Sequence, residues 1–119
     1  MGTAAATPEL RAIVDKLSAE YKLPFEHRDL KRVRWGGAKK SGEEKENELV
    51  QALKDIGPGT WIIVEHPAVD SPESRSLRHI GYENVGEDRA GVLRALTSPR
   101  VKDVVKERRI KLISYKDLP

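Results

Sequence analysis

Apolar residues recur along this chain with two different spacings, and the alternation between them divides it into elements. Leu10, Ile13, Val14 and Leu17 fall three or four residues apart, the spacing of one face of an α-helix. Thr7, Pro8 and Glu9 stand just ahead of them: a capping hydroxyl, a ring with its φ already set, and a carboxylate for the positive end of the helix dipole. The pattern predicts a first helix with one buried stripe, stopped at Leu23-Pro24, because the residue before a proline avoids helical geometry. "LPFEH", Leu23 to His27, then reads as the entry to a short strand, and the basic segment after it as a loop.

A second helix opens at Ser41 to Glu44, an S-x-x-E capping box, and carries Leu49, Val50, Leu53 and Ile56 on its apolar face. Gly57-Pro58-Gly59 ends it, as a left-handed cap followed by proline would. Thr60 to Val64 is an unbroken apolar run, which suits a strand covered on both faces and therefore parallel to its neighbour. Ser71-Pro72-Glu73 can start a short helical turn within a stretch punctuated by Gly81 and Gly86. A regular helix resumes near Asp88 with Val92, Leu93 and Leu96 on one side. Ser98-Pro99 caps another, which turns Val101, Val104 and Val105 inward, and Ile110 to Ser114 offers a last strand. Helix and strand in alternation predict an α/β fold with a parallel sheet. Two or three strands leave both edges of such a sheet unpaired, so the sheet reads as incomplete.

Composition narrows this picture. A length of 119 residues fits one domain or less, and 38% hydrophobic against 34% charged content allows only a lean core. The absence of cysteine excludes disulfides and thiolate metal sites. No apolar run approaches the ~20 residues of a membrane span, so no membrane partner is expected. "MGTAAATPEL" lacks the basic-then-apolar layout of a secretory signal, and the cytoplasm is the default compartment unless an upstream segment carries an export signal. The net charge is +3, and it concentrates between residues 28 and 40, where Arg28, Lys31, Arg32, Arg34, Lys39 and Lys40 surround Trp35. Basic side chains around an aromatic ring suit phosphate contact and base stacking. A solvated loop tipped by Gly36 and Gly37 explains the same residues without a ligand, and nucleic acid is not the expected partner.

Candidate chemistry gathers after the apolar strand. His66 follows it directly, beside Glu65 and ahead of Pro67, whose fixed φ stiffens the exit. An imidazole that a carboxylate can orient suits a general acid or a metal ligand, and equally a histidine that merely bonds a loop. His27 and His79 lie in the basic and irregular segments and read as surface residues. Asp70 and His66 are too few for a closed metal site, and no H-x-x-x-H spacing is present. A glycine-rich phosphate loop, a G-x-S-x-G elbow and a cysteine nucleophile are also missing, so these residues form part of an active site at most.

Several longer signals point one way. The E-H-P exit at Glu65 to Pro67 is followed by Asp70, H-I-G-Y-E spans His79 to Glu83, and D-R stands at Asp88-Arg89. L-T-S-P joins two helices at Leu96 to Pro99, and L-I-S-Y-K-D-L closes the chain at Leu112 to Leu118. In these signals, which span about half the chain, it resembles the C-terminal end of the carbohydrate deacetylases of the YdjC-like (ChbG/HpnK) family; Pro8 to Pro24 also looks like the helix and strand that precede this region in the family. The resemblance implies that residues 1–119 are the C-terminal portion of an irregular, TIM-like (β/α) barrel more than twice as long, with residues 28–40 a basic loop within it. It implies a metal-dependent hydrolase of the N-acetyl amide of an amino sugar or oligosaccharide, with a divalent metal, zinc or magnesium, on an aspartate and two histidines. All three ligands would lie upstream, with Met1-Gly2 matching the pair that follows the last metal histidine, so this chain is expected to bind no metal alone.

By position His66 inherits the role of the acid that protonates the departing amine, and Glu65 that of orienting it. Asp70, Arg75, His79, Tyr82 and Arg89 become supporting or sugar-facing residues, each with a loop hydrogen bond or ion pair as its alternative. Three positions depart from the family pattern. Ala68 stands where H-P-G is common, and Lys22 and Arg109 replace glycines that end helices, where a left-handed backbone costs a residue with a Cβ ~1 kcal/mol. Two rival readings have no catalysis: a folded module that associates with itself through its open sheet edges, and a small nucleic-acid binder using residues 28–40.

Overall fold

The computed structural model describes residues 7–23 and 30–118. Its elements in order are α1 (Pro8–Glu20), β1 (Lys31–Arg32), α2 (Gly42–Asp55), β2 (Trp61–Ile62), α3 (Pro72–Ser76), α4 (Val85–Thr97) and α5 (Pro99–Glu107), followed by a 3₁₀ turn at Tyr115–Asp117. Helices hold more than half of the described residues, and the sheet among them is two parallel strands. The chain divides into two compact units, one of residues 1–29 with 112–119 and one of residues 30–111.

In the first unit, α1 begins where the sequence says: Thr7 Oγ1 accepts from the Leu10 amide at 3.4 Å, with Pro8 at the first helical position. It ends in a Schellman motif, ahead of Pro24. The Leu23 amide donates to the Ser18 carbonyl at 2.9 Å across a left-handed Lys22 with φ of 51°. The stripe of Leu10, Ile13, Val14 and Leu17 is not buried as expected, since these side chains are between 37% and 52% exposed. Periodicity identifies the apolar face of a helix but not what covers it. The expected strand entry beyond Leu23, together with His27 and Arg28, lies outside the described residues.

The second unit is built on α2. Its capping box is present in both directions: Glu44 N donates to Ser41 Oγ at 3.2 Å, and Ser41 N donates to Glu44 Oε2 at 2.7 Å. Leu49, Val50 and Leu53 on its inner face pack with Ala95 of α4 and Val101 and Val104 of α5, flanked by Trp35, Ile56, Leu96, Val105 and Ile110. The α2–α4 crossing is close because both helices have glycine there: a Cβ on Gly91 would sit 3.2 Å from the Cα of Gly42. Gly86 is a tighter case, since a Cβ on it would lie 2.6 Å from the Ser74 carbonyl oxygen of α3. Ser98 joins α4 to α5, accepting from the Arg100 amide at 3.1 Å and donating to the buried Glu46 carboxylate at 2.7 Å.

The strands differ from the sequence reading in place and extent. β1 lies inside the basic segment read as a loop, and pairs in parallel with β2, Lys31 opposite Trp61 and Arg32 opposite Ile62. Only the buried Val33 betrays it, because Lys31, Arg32 and Arg34 hide any alternation. β2 stops at Ile62, and Ile63 and Val64 stay 36% and 37% exposed, so the run is not covered on both faces. Residues 110–114 form no strand. The exit from α2 also differs: Ile56 is extended, and the positive φ, 130°, falls on Gly59 rather than Gly57. α4 starts at Val85, ahead of the expected Asp88.

α5 closes with a second Schellman motif. The Ile110 amide donates to the Val105 carbonyl at 2.9 Å across Arg109, whose φ is 53°. Both non-glycine residues with positive φ among the described ones are therefore Lys22 and Arg109, where the sequence reading expected a left-handed backbone. Arg109→Gly removes the Cβ clash and should raise stability by up to ~1 kcal/mol, read as a higher urea midpoint at unchanged slope.

Candidate functional site

Parallel strands point their carboxyl ends the same way, and here that brings two loops together. The ladder ends at Arg32 and Ile62, and the chains leaving it carry Trp35 and Gly36 on one side and Glu65 and His66 on the other. These residues line one side of a cavity of about 340 Å³, whose wall also includes Gly37 and Ala38. Lys45 from the first turns of α2, Asp88, Arg89 and Val92 from α4, and Tyr82 complete it. A bond from the Ala68 amide to the Arg89 carbonyl, 3.2 Å, holds the chain beyond His66 against α4.

Four of the seven sequence-derived residues meet in this cavity: Glu65, His66, Tyr82 and Arg89. His66 is exposed, so its ring is reachable from solvent. Glu65 is partly buried, and burial, with Asp88 nearby, pushes its carboxyl above the ordinary 4.5 despite Arg32 and His66. The Tyr82 hydroxyl donates to Asp88 Oδ2, and burial together with that bond pushes its pKa up to about 12.

The other three lie outside the cavity lining. Asp70 and Arg75 form a two-pronged ion pair at 2.6 and 2.7 Å on the exposed flank of α3, which lowers the Asp70 carboxyl and raises the Arg75 guanidinium. Their arrangement is the loop ion pair weighed from sequence. His79 is exposed, packs edge-on against Tyr82 with ring centres 5.3 Å apart, and pairs with it through backbone bonds in both directions. It thereby shapes the turn that presents Tyr82.

Sequence reasoning missed Lys45 and left Asp88 out of the site. Lys45 is 1% exposed, with its ammonium donating to the carbonyls of Gly37 and Lys40 at 2.8 and 2.7 Å. Asp88 Oδ1 lies 2.7 Å away as an ion pair, without a hydrogen bond of its own. The available signal was the chain's helical spacing: Lys45 lies four residues before Leu49, on the inward face of α2.

The basic segment finds partners within its own unit. Lys31 lies over the Trp61 ring at 5.4 Å, Arg32 donates to the Val64 carbonyl at 3.5 Å, and Lys40 pairs with Glu48. Arg34 and Lys39 are exposed. Beside these residues a second cleft, about 460 Å³, shares Trp35, Gly36 and Glu65 with the first. Among the described residues, no group of three or more histidine, aspartate or glutamate side chains is placed to hold a metal ion.

The raised Glu65 carboxyl carries a sign that can be measured. An acid whose folded pKa lies above its unfolded value stabilises the fold below the unfolded pKa, and that stability is lost as pH rises through the folded one. Glu65→Gln should therefore raise the urea midpoint at pH 7 and change it little below about pH 4, where Glu65 is protonated in both states. An equal effect at both pH values would rule out ionisation as the cause.

In comparisons with known proteins, no family model, no curated sequence and no solved structure matches this chain.

Proposed function

We propose that this chain supplies the C-terminal portion of a metal-dependent carbohydrate deacetylase with a TIM-like barrel, and that the cavity at the strand ends is its share of the active site. The observation that carries the reading is the meeting of Glu65, His66, Tyr82 and Arg89 around one cavity at the carboxyl ends of parallel strands. The left-handed Lys22 and Arg109, at positions where the resembled family has glycine, support it independently. On this reading the divalent metal is held by an aspartate and two histidines outside this chain.

The chemistry of these side chains fits the role. Amide hydrolysis breaks a C–N bond whose electron pair leaves on nitrogen, and an amine departs poorly until that nitrogen gains a proton. The exposed His66 ring at the cavity wall can serve as the acid that delivers it, and Glu65, next in sequence and partly buried, can orient the ring. Tyr82 stays protonated at neutral pH, which leaves its oxygen a neutral hydrogen-bonding group, and Arg89 offers donors to sugar hydroxyls. The substrate on this reading is an N-acetylated amino sugar or oligosaccharide.

The test is metal-dependent acetate release from N-acetylated oligosaccharides, measured on this chain and on its reading frame extended upstream. Loss of a general acid typically costs ~10²–10⁴-fold in rate, and His66→Ala in the active form should fall in that range. Activity untouched by this substitution would remove His66 from the mechanism.

A second reading rests on the sheet. Two short strands with open edges continue into the exposed Ile63 and Val64, a surface that could pair with another copy of the chain. On this reading the module is not catalytic, and sedimentation velocity should show its mass rising with concentration. A single monomeric species up to high concentration would end it. The internal partners of Lys31, Arg32 and Lys40 favour a basic segment that pairs within the chain over a nucleic-acid surface.

A further inference from the structure

Lys45 contacts two separate parts of the cavity wall and reaches a third through Asp88, and none of the roles proposed above uses it. Its ammonium reaches the carbonyls of Gly37 and Lys40 in the loop after β1, and the Asp88 carboxylate in α4. The other oxygen of Asp88 accepts from Tyr82, in the turn closed by His79. One buried cation thus joins the loop to α4 and, through Asp88, to the turn just before it, more than forty positions further along the chain.

The loop has other holds, among them the exposed Lys40–Glu48 ion pair. The Gly36 amide donates to Glu48 Oε2 at 2.8 Å, and Asn84 Nδ2 donates to the Ala38 carbonyl at 2.6 Å. The loop itself resists a single conformation, because Gly36 and Gly37 have φ of 70° and 145° and glycine gains most from disorder. Charge-assisted bonds are roughly twice as strong as neutral ones, and the Lys45 pair is shielded from water. Glycine at 91 makes room for the Lys45 side chain, whose Cδ lies 3.1 Å from where a Cβ there would be.

We infer that Lys45 is the positioning residue of the cavity, fixing the Gly36 to Lys40 wall and the Tyr82 wall relative to each other through its own ammonium and Asp88. The inference stands whatever ligand the cavity takes. A merely structural role differs from it in one respect. If Lys45 only neutralised Asp88, removing both charges together would restore everything, loop included. If it positions the loop, the double variant takes the ammonium from both carbonyls, leaving Gly37 only the Lys40 amide, and the loop stays loose.

The experiment is native-state hydrogen exchange on the full chain with Lys45→Met combined with Asp88→Asn. Expected is exchange at the Gly36 and Lys40 amides faster by about tenfold or more, with little change at Leu49 and Val50 inside α2, since a charged hydrogen bond is worth about that factor. Unchanged exchange at Gly36 and Lys40 in the folded double variant would overturn the inference. If the double variant does not fold, the parent chain decides: the amides of Gly36, Lys40 and Tyr82 should show opening of the same size and denaturant dependence. Loop amides opening about a hundredfold more readily than Tyr82 would show that the walls are not joined, and would overturn it equally.

Discussion

Taking an ammonium out of water costs several kcal/mol, and the cost is offset only by hydrogen bonds and a close counter-charge. Lys45 is 1% exposed; two loop carbonyls accept from it, and a carboxylate on another helix stands beside it as its counter-ion. The rest of the second unit has to be arranged around that requirement. α2 must cross α4 closely enough for Lys45 to reach Asp88, and glycines at 42 and 91 permit the approach. The loop after β1 must fold back over α2 with two carbonyls turned inward, and its two glycines permit that turn. Close helix packing, loop path and the cavity wall are consequences of burying one charge.

The same arrangement explains why the candidate chemistry lies where it does. A two-residue ladder is a weak element, yet it is enough to set the direction of the chain on either side. From it, the Trp35 to Ala38 loop and the Glu65-His66 exit run side by side, and α4 closes the space between them with Asp88, Arg89 and Val92. Polar residues at the end of an apolar strand therefore do more here than mark its arrival at the surface. They form a concave wall with a solvent-reachable imidazole, a carboxyl raised by burial, and a phenol held protonated by its carboxylate partner.

Local signals in the sequence were read well where the interaction they encode is itself local. The capping box at Ser41 and Glu44, the short helix after Ser71 and the Ser98-Pro99 junction each involve atoms within a few residues, and each forms. The left-handed backbone at Lys22 and Arg109 belongs with them, since a Schellman motif closes within one turn. Errors came where the partner is distant. Nothing near Lys31 and Arg32 says that Trp61 and Ile62 will lie beside them, and nothing in "IKLIS" says that no strand will. The site divides in the same way. Glu65 and His66 were visible as a strand exit, whereas Asp70 and Arg75 proved to be each other's partners, five residues apart, on the face of α3.

By itself the sequence determined the caps that open α1, α2, α3 and α5, the apolar face of the longer helices, and that a carboxylate and an imidazole follow the strand after α2. Hydroxyl caps, prolines and 3.6-residue periodicity act over a single turn, so the chain need not be folded for them to be read. Only the tertiary structure decided which apolar faces are covered, that β1 lies inside a basic run, and that Lys45, Asp88 and Tyr82 stand behind the cavity wall. The reason is that burial and charge pairing are properties of two surfaces brought together. A lysine reads as solvated until the aspartate forty-three positions on, from 45 to 88, is placed 2.7 Å from its nitrogen.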